Sequence, residues 1–189
     1  MALISAPTFR LAGIAWELDR PAQVNTDLSN KRTIGDPLYG KWFASVALEP
    51  ETGEAAFAPI RSFLMRCMGT VNYFHLPAVI NAQNANSGVT LSAGASAGAT
   101  TVTITGASTS LLDGQMVTIG NQLLQLTADQ SGSALTFEPP LRVAASSGDA
   151  VETSLPYALV RLADPNVNWT VEAPQRFSTA FDVEEVVSA

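Results

Sequence analysis

The chain has 189 residues, of which 47% are hydrophobic and only 14% charged, and its net charge is −7. That size allows one domain, or a modest domain carrying a smaller one, with enough apolar material for a real core. The acidic balance and the lack of clustered Lys and Arg argue against a DNA-reading role, and a single cysteine, Cys67, excludes an internal disulfide.

No apolar stretch approaches the ~20 residues needed to span a bilayer, so no membrane insertion is expected. The start, Met1-Ala-Leu-Ile-Ser-Ala6, lacks a basic region followed by a long apolar run, and no signal peptide is expected there.

In chain order, residues 1–10 read as an arm or edge segment. Leu11 to Leu18 reads as a strand with Ile14, Trp16 and Leu18 on one face, stopped by Asp19-Arg20-Pro21. Residues 22–40 are polar and read as a long loop or β-arm, a length that in a compact domain is usually functional or disordered. Lys41 to Leu48 is a second strand with Trp42, Ala44, Val46 and Leu48 on one face. A turn is expected over Pro50–Gly53. The one convincing helix spans 54–68: Phe57, Ile60, Phe63 or Leu64, and Cys67 recur at helical spacing, with Arg61, Ser62 and Arg66 opposite. Glu54 and Arg66 suit the two ends of the helix dipole, and Gly69 is placed to cap the C-terminus. Thr70 to Leu76 is a third strand, ended by Pro77.

Residues 81–155 then change character, becoming rich in small and β-branched residues. Apolar residues alternate with Thr or Gln at Val102/Ile104, Val117/Ile119 and Leu124/Leu126, the pattern of half-buried antiparallel strands. Gly120-Asn121 has the residue types of a tight hairpin turn. Ala134 to Glu138 is a further strand, stopped by Pro139-Pro140. The stretch reads as an inserted β module of about five short strands. After it, strands are expected at Tyr157–Leu162, at Trp169–Glu172 and from Phe177 to Val187, with Phe177, Thr179, Phe181 and Val183 on one face. The fold class is mainly β: a β-sandwich or barrel-like host, residues 1–80 plus 156–189, with one packed helix and the small module 81–155 inserted. Trp16, Trp42, Phe63 and Phe181 are the candidate host core.

Catalytic chemistry is hard to find. His75 is the only histidine, so a two-histidine metal site is excluded, and its place in a strand before Pro77 favours a structural role. Cys67 lies in an apolar run and reads as a buried, inert thiol. Glu184 and Glu185 cannot pair, since neighbours in a strand face opposite ways; a solvated edge is the expectation for them. The Asp-Gly and Ser-Gly-Asp clusters are turn punctuation without calcium-loop spacing. No nucleophile elbow and no phosphate-binding glycine loop is present. The three tryptophans read as core rather than as a sugar platform, and the insert itself offers only Phe137. No enzyme activity, metal or cofactor is expected.

Leu11-Ala-Gly-Ile-Ala-Trp-Glu-Leu-Asp-Arg-Pro-Ala-Gln-Val-Asn25 resembles the N-terminal strand and first loop of small tail-tip proteins of long-tailed bacteriophages. The Trp42 strand, the helix and the Thr70–Leu76 strand follow in the order found there. Leu112 to Gly120, Pro140 to Val143 and Gly148 to Val151 are similar to hairpins common in such proteins. The layout as a whole resembles the distal tail protein family. That resemblance implies a baseplate protein of the virion tail tip, made in the host bacterial cytoplasm. It implies a homo-oligomer, a hexameric ring, that connects the tail tube protein to the hub protein and to fibre or receptor-binding proteins. DNA would pass through the channel without specific binding, which a net negative charge suits. Asn25, Asp27, Asn30, Lys31 and Arg32 are candidate residues of an inter-subunit arm, with the helix as a second contact and the insert as an outward docking platform. A tail-tube or tail-completion protein is the alternative of the same class, and a carbohydrate-binding or adhesion module that of another.

Overall fold

The computed structural model describes residues 1–20, 23–26, 32–35 and 40–186. In chain order the elements are β1 (Leu11–Asp19), β2 (Gln23–Thr26), β3 (Arg32–Gly35), β4 (Lys41–Leu48), β5 (Glu51–Thr52), α1 (Glu54–Arg66), β6 (Tyr73–Pro77), β7 (Thr90–Leu91) and β8 (Thr101–Thr105). There follow β9 (Met116–Ile119), β10 (Gln122–Leu126), β11 (Ala134–Glu138), β12 (Val151–Glu152), β13 (Tyr157–Leu162), β14 (Thr170–Glu172), β15 (Arg176–Ser178) and β16 (Ala180–Glu185). The fold is mainly β, as the alternation of apolar residues requires, with a single helix among the described residues.

Five strands form the host sheet in the order β1-β4-β16-β13-β6, antiparallel throughout. It curls into a half-barrel around α1. The helix buries Phe57, Ile60, Phe63 and Leu64 against the inward residues of β4, Trp42, Ala44, Val46 and Leu48. The alternation read in β4 is therefore the one observed. Aromatic rings fill the middle: Phe63 meets Phe74 edge-on at 4.9 Å and Phe9 at 5.3 Å, while Phe57 stacks on Phe177 at 4.9 Å. Trp42 and Phe63 are fully enclosed, whereas Trp16 and Phe181 lie partly buried at the margin of the same cluster. Cys67 is buried there too, and burial pushes its thiol up to about 11 despite the nearby charge of Arg66, which lowers it. It is inert at neutral pH.

Several boundaries differ from expectation for local reasons. Glu51 and Thr52, in the expected turn, pair with β15 in a small sheet, β14-β15-β5. The helix ends at Arg66, and Met68, at φ 51°, takes the first left-handed position before Gly69 takes the second. β6 starts only at Tyr73, because the chain needs residues 67–72 to turn back from the helix. The C-terminal run is two strands, since Thr179 leaves the small sheet, its hydroxyl donating to the carbonyl of Asn168 (2.8 Å), before β16 joins the host sheet.

All six strands of the second sheet fall between residues 90 and 152, in the order β12-β9-β10-β11-β8-β7. That is one more than the sequence suggested, because β7 and β12 have only two residues each and show no readable alternation. Those short strands close the sheet: Thr90 bridges Ala150, and the Val151 amide donates to the Val89 carbonyl at 2.9 Å. The result is a small near-barrel packed with Val102, Ile104, Val117, Leu124, Leu126, Leu135 and Phe137. Gly120 and Asn121 have φ of 55° and 69°, the two left-handed positions of the turn that matches strand twist in a two-residue hairpin.

Between β1 and β4 the chain makes the hairpin β2–β3, which pairs with itself and with no other strand among the described residues. Asn25 and Arg32 lie in its paired strands. Asp27, Asn30 and Lys31 lie outside the described residues.

Candidate functional site

The most organised polar cluster lies at the seam between the half-barrel and the near-barrel. The burial alternation of residues 177–183 runs one step further than the sequence reading took it, and places Glu185 on the inner face of β16. β16 is a central strand, not an edge. The expected solvated position for Glu184 and Glu185 is therefore wrong: the Glu185 side chain is 0% exposed and its partner Arg142 is 7% exposed.

Three groups converge on this carboxylate. Arg142 Nη2 donates to Oε2 at 2.5 Å, the Trp42 amide to Oε2 at 3.2 Å and the Leu123 amide to Oε1 at 3.3 Å. Arg142 Nη2 also donates to the carbonyl of Gly40 at 2.5 Å. Trp42 Nε1 donates to the Leu123 carbonyl at 2.8 Å. Trp42, Gly40 and Glu185 belong to the host, Leu123 and Arg142 to the near-barrel. Each connection therefore crosses between the two sheets or anchors a group that does.

Local structure explains how these groups are held. The side-chain amide of Gln122 donates to the carbonyl of Pro140 (2.9 Å) and accepts from the Arg142 amide (2.8 Å), fixing the irregular segment after β11. A Cβ at Gly40 would lie 2.7 Å from Leu18 Cδ1, so a larger residue there would have to push that side chain aside. Leu123 turns away from the barrel interior and joins the host cluster, while Leu124 faces the barrel core. Further along the seam the Thr118 hydroxyl donates to the Tyr157 carbonyl (2.6 Å) and accepts from its amide (2.8 Å). Gln83 likewise makes a two-way link with the backbone of Met116, at 2.8 and 3.0 Å. Such paired links set register as well as distance.

Glu184 faces the other side of the sheet, between Lys41 at 2.5 Å and Arg161 at 2.6 Å on the flanking strands. Burial pushes its carboxyl up, but the hydrogen bonds and charges of Lys41 and Arg161 outweigh that and hold it below its usual 4.5. A carboxyl depressed in the folded state stabilises the protein above its unfolded value and loses that contribution as pH falls through the folded one. Glu184→Gln is accordingly expected to flatten the fall in the urea midpoint below pH 4.5. Equal slopes for the two proteins would rule this out.

His75 packs against Tyr157 with the rings tilted by 40° and their centroids 4.4 Å apart, and its Nε2 is buried without a partner. Burial lowers its basicity, partly offset by a hydrogen bond with Asn121. It is a side chain packed against Tyr157. Among the described residues no group of three or more His, Cys, Asp or Glu is placed to hold a metal, and no helix is long and apolar enough to cross a membrane. A cleft of about 210 Å³ opens beside the seam, between the Gly120-Asn121 turn and residues 141–145.

What the cluster can do chemically is hold two β bodies in one orientation. Of its members the sequence reading singles out Trp42, as core, and Glu185, as a solvated edge; Gly40, Leu123 and Arg142 it does not. The usable signal was the period-two alternation continuing to Glu185. No protein-family model matches the chain, and no curated protein is recognisably similar to it in sequence.

Proposed function

We propose that the chain is a structural subunit of the tail tip, or baseplate, of a long-tailed bacteriophage. In this reading it is a distal tail protein whose hexameric ring joins the tail tube to the hub and receptor-binding parts and serves host attachment. The observation that carries the reading is the β2–β3 hairpin, set between two adjacent strands of the host sheet and, among the described residues, paired only with itself. A β-arm that meets no further strand among the described residues of its own chain has a natural partner in a neighbouring subunit of a closed ring.

Two further features support the reading. The hydrogen-bonded seam makes the near-barrel a firmly oriented attachment, as a docking platform for hub or fibre proteins requires. The net charge of −7 suits a channel through which DNA slides without binding.

The same arm also fits a tail-tube or tail-completion protein, which differs in how many rings stack. A carbohydrate-binding module has less support, because Trp42 and Phe137 are buried and cannot stack on a sugar. Electron microscopy of virions labelled with antibody against this chain separates these readings. Label is expected at the far end of the tail alone. Label along the whole tail would make the chain a tube protein, and unlabelled particles would overturn the virion reading altogether.

A further inference from the structure

The residues before β1 form a strap over the outer edge of β6. Leu3 bridges Tyr73 in the parallel sense. The Ile4 amide donates to the Tyr73 carbonyl at 2.9 Å, and the Tyr73 amide donates to the Ala2 carbonyl at 3.1 Å. Asn72 completes the slot: its Oδ1 accepts from the Ala2 amide (3.0 Å) and its Nδ2 donates to the Arg66 carbonyl at the end of α1 (2.9 Å). Ile4 packs on the host core. Edge strands present unpaired backbone groups that recruit extended segments, and this edge recruits residues 2–4.

We propose that this strap is exchanged, so that residues 1–4 of one copy fill the slot on β6 of a neighbouring copy. The slot fits this sequence already, and an identical segment supplied by another copy makes the same bonds, which is why exchange of like elements is a low-cost route to assembly.

The hinge is in place. Phe9 is fixed against Phe63, and the Arg10 carbonyl accepts from the Glu49 amide at 2.7 Å, so the chain from residue 9 onward stays at home. Between them, Ser5 to Thr8 includes Pro7, which has no N–H and keeps the residue before it extended. The one polar contact that the hinge makes among the described groups is a 3.4 Å hydrogen bond from Arg66 to the Ser5 carbonyl.

Met1 (84% exposed) and Leu3 (53%) on the strap, and Met65, Met68 and Val71 between the end of α1 and β6, expose apolar side chains, which copies joined through their straps bring close to one another.

The inference rests on the strap's own geometry and holds whether or not the tail-tip reading does. It is tested with the full chain carrying Leu3→Cys mixed with the full chain carrying Tyr73→Cys under mild oxidation, while one chain with both substitutions shows that the bond can form. A disulfide-linked heterodimer in the mixture is the expected result. An internal bond in the double variant with no heterodimer in the mixture would overturn exchange. So would links between Leu3→Cys chains alone, since those place straps side by side without filling the slot.

Discussion

Glu185→Leu is expected to be among the most damaging single substitutions in this protein. It leaves the Arg142 guanidinium buried without its counter-charge, and it removes the acceptor of the Trp42 and Leu123 amides. Removing one partner of a buried pair costs about 3–5 kcal/mol, and each orphaned buried amide adds about 1–3 kcal/mol. Against a total stability of about 5–15 kcal/mol, that is enough to leave the protein largely unfolded at physiological temperature.

Two companion variants apportion the effect. Glu185→Gln keeps an acceptor oxygen and loses only the charge, so it is expected to fall between wild type and Glu185→Leu. Adding Arg142→Met to Glu185→Leu removes the stranded cation and is expected to recover part of the loss, because replacing both ions together is often near neutral. Recovery stays incomplete, since the two amides still lack an acceptor. Urea denaturation followed by tryptophan fluorescence measures all three. If Glu185→Leu lies within 1 kcal/mol of wild type, the seam contributes little and this account of it fails.

Phe137→Ala is the second substitution with a large expected effect, and it acts on the other body. Phe137 is fully buried in the near-barrel, and truncating a buried phenylalanine to alanine costs about 3–5 kcal/mol. The barrel cluster and the host cluster have no buried residue in common. Trp16, Trp42 and Trp169, the only tryptophans, all pack against the host. Fluorescence therefore follows the host and the seam, whereas far-ultraviolet circular dichroism follows both sheets. The variant is expected to unfold in two steps, the circular dichroism loss of the barrel preceding the main fluorescence change. A single coincident transition would mean that the seam fuses the two cores into one cooperative unit.

Much of this architecture is legible in the residues themselves. Alternation with period two marks β4, β8, β9, β10 and β11, because a strand with one buried face must place apolar side chains at every second position. Three-to-four spacing marks α1 for the corresponding reason. Gly120-Asn121 announces its hairpin through the need for positive φ at both positions. The polar stretch 22–40 reads as a long loop or a β-arm, and its described strands, β2 and β3, pair with each other. What these signals have in common is range: each is a relation between residues within a few positions along the chain.

The tertiary structure decided the rest, where the partner is distant or the element too short to show a period. β7 and β12 have two residues each, so only the closing of the sheet reveals them. Leu123 and Leu124 are equally apolar neighbours, and which core each one enters depends on where the host lies. The strap's slot at Tyr73 comes from a strand edge that exists only once the sheet is assembled. Glu185 is the clearest case. Its alternation pointed inward, but its charge argued for solvent, since a buried carboxylate without a partner is prohibitively costly. Its partner Arg142 is 43 residues away in sequence. Local pattern determines which face a side chain takes; whether a buried charge is tolerable there depends on a counter-charge that only the folded chain brings within reach.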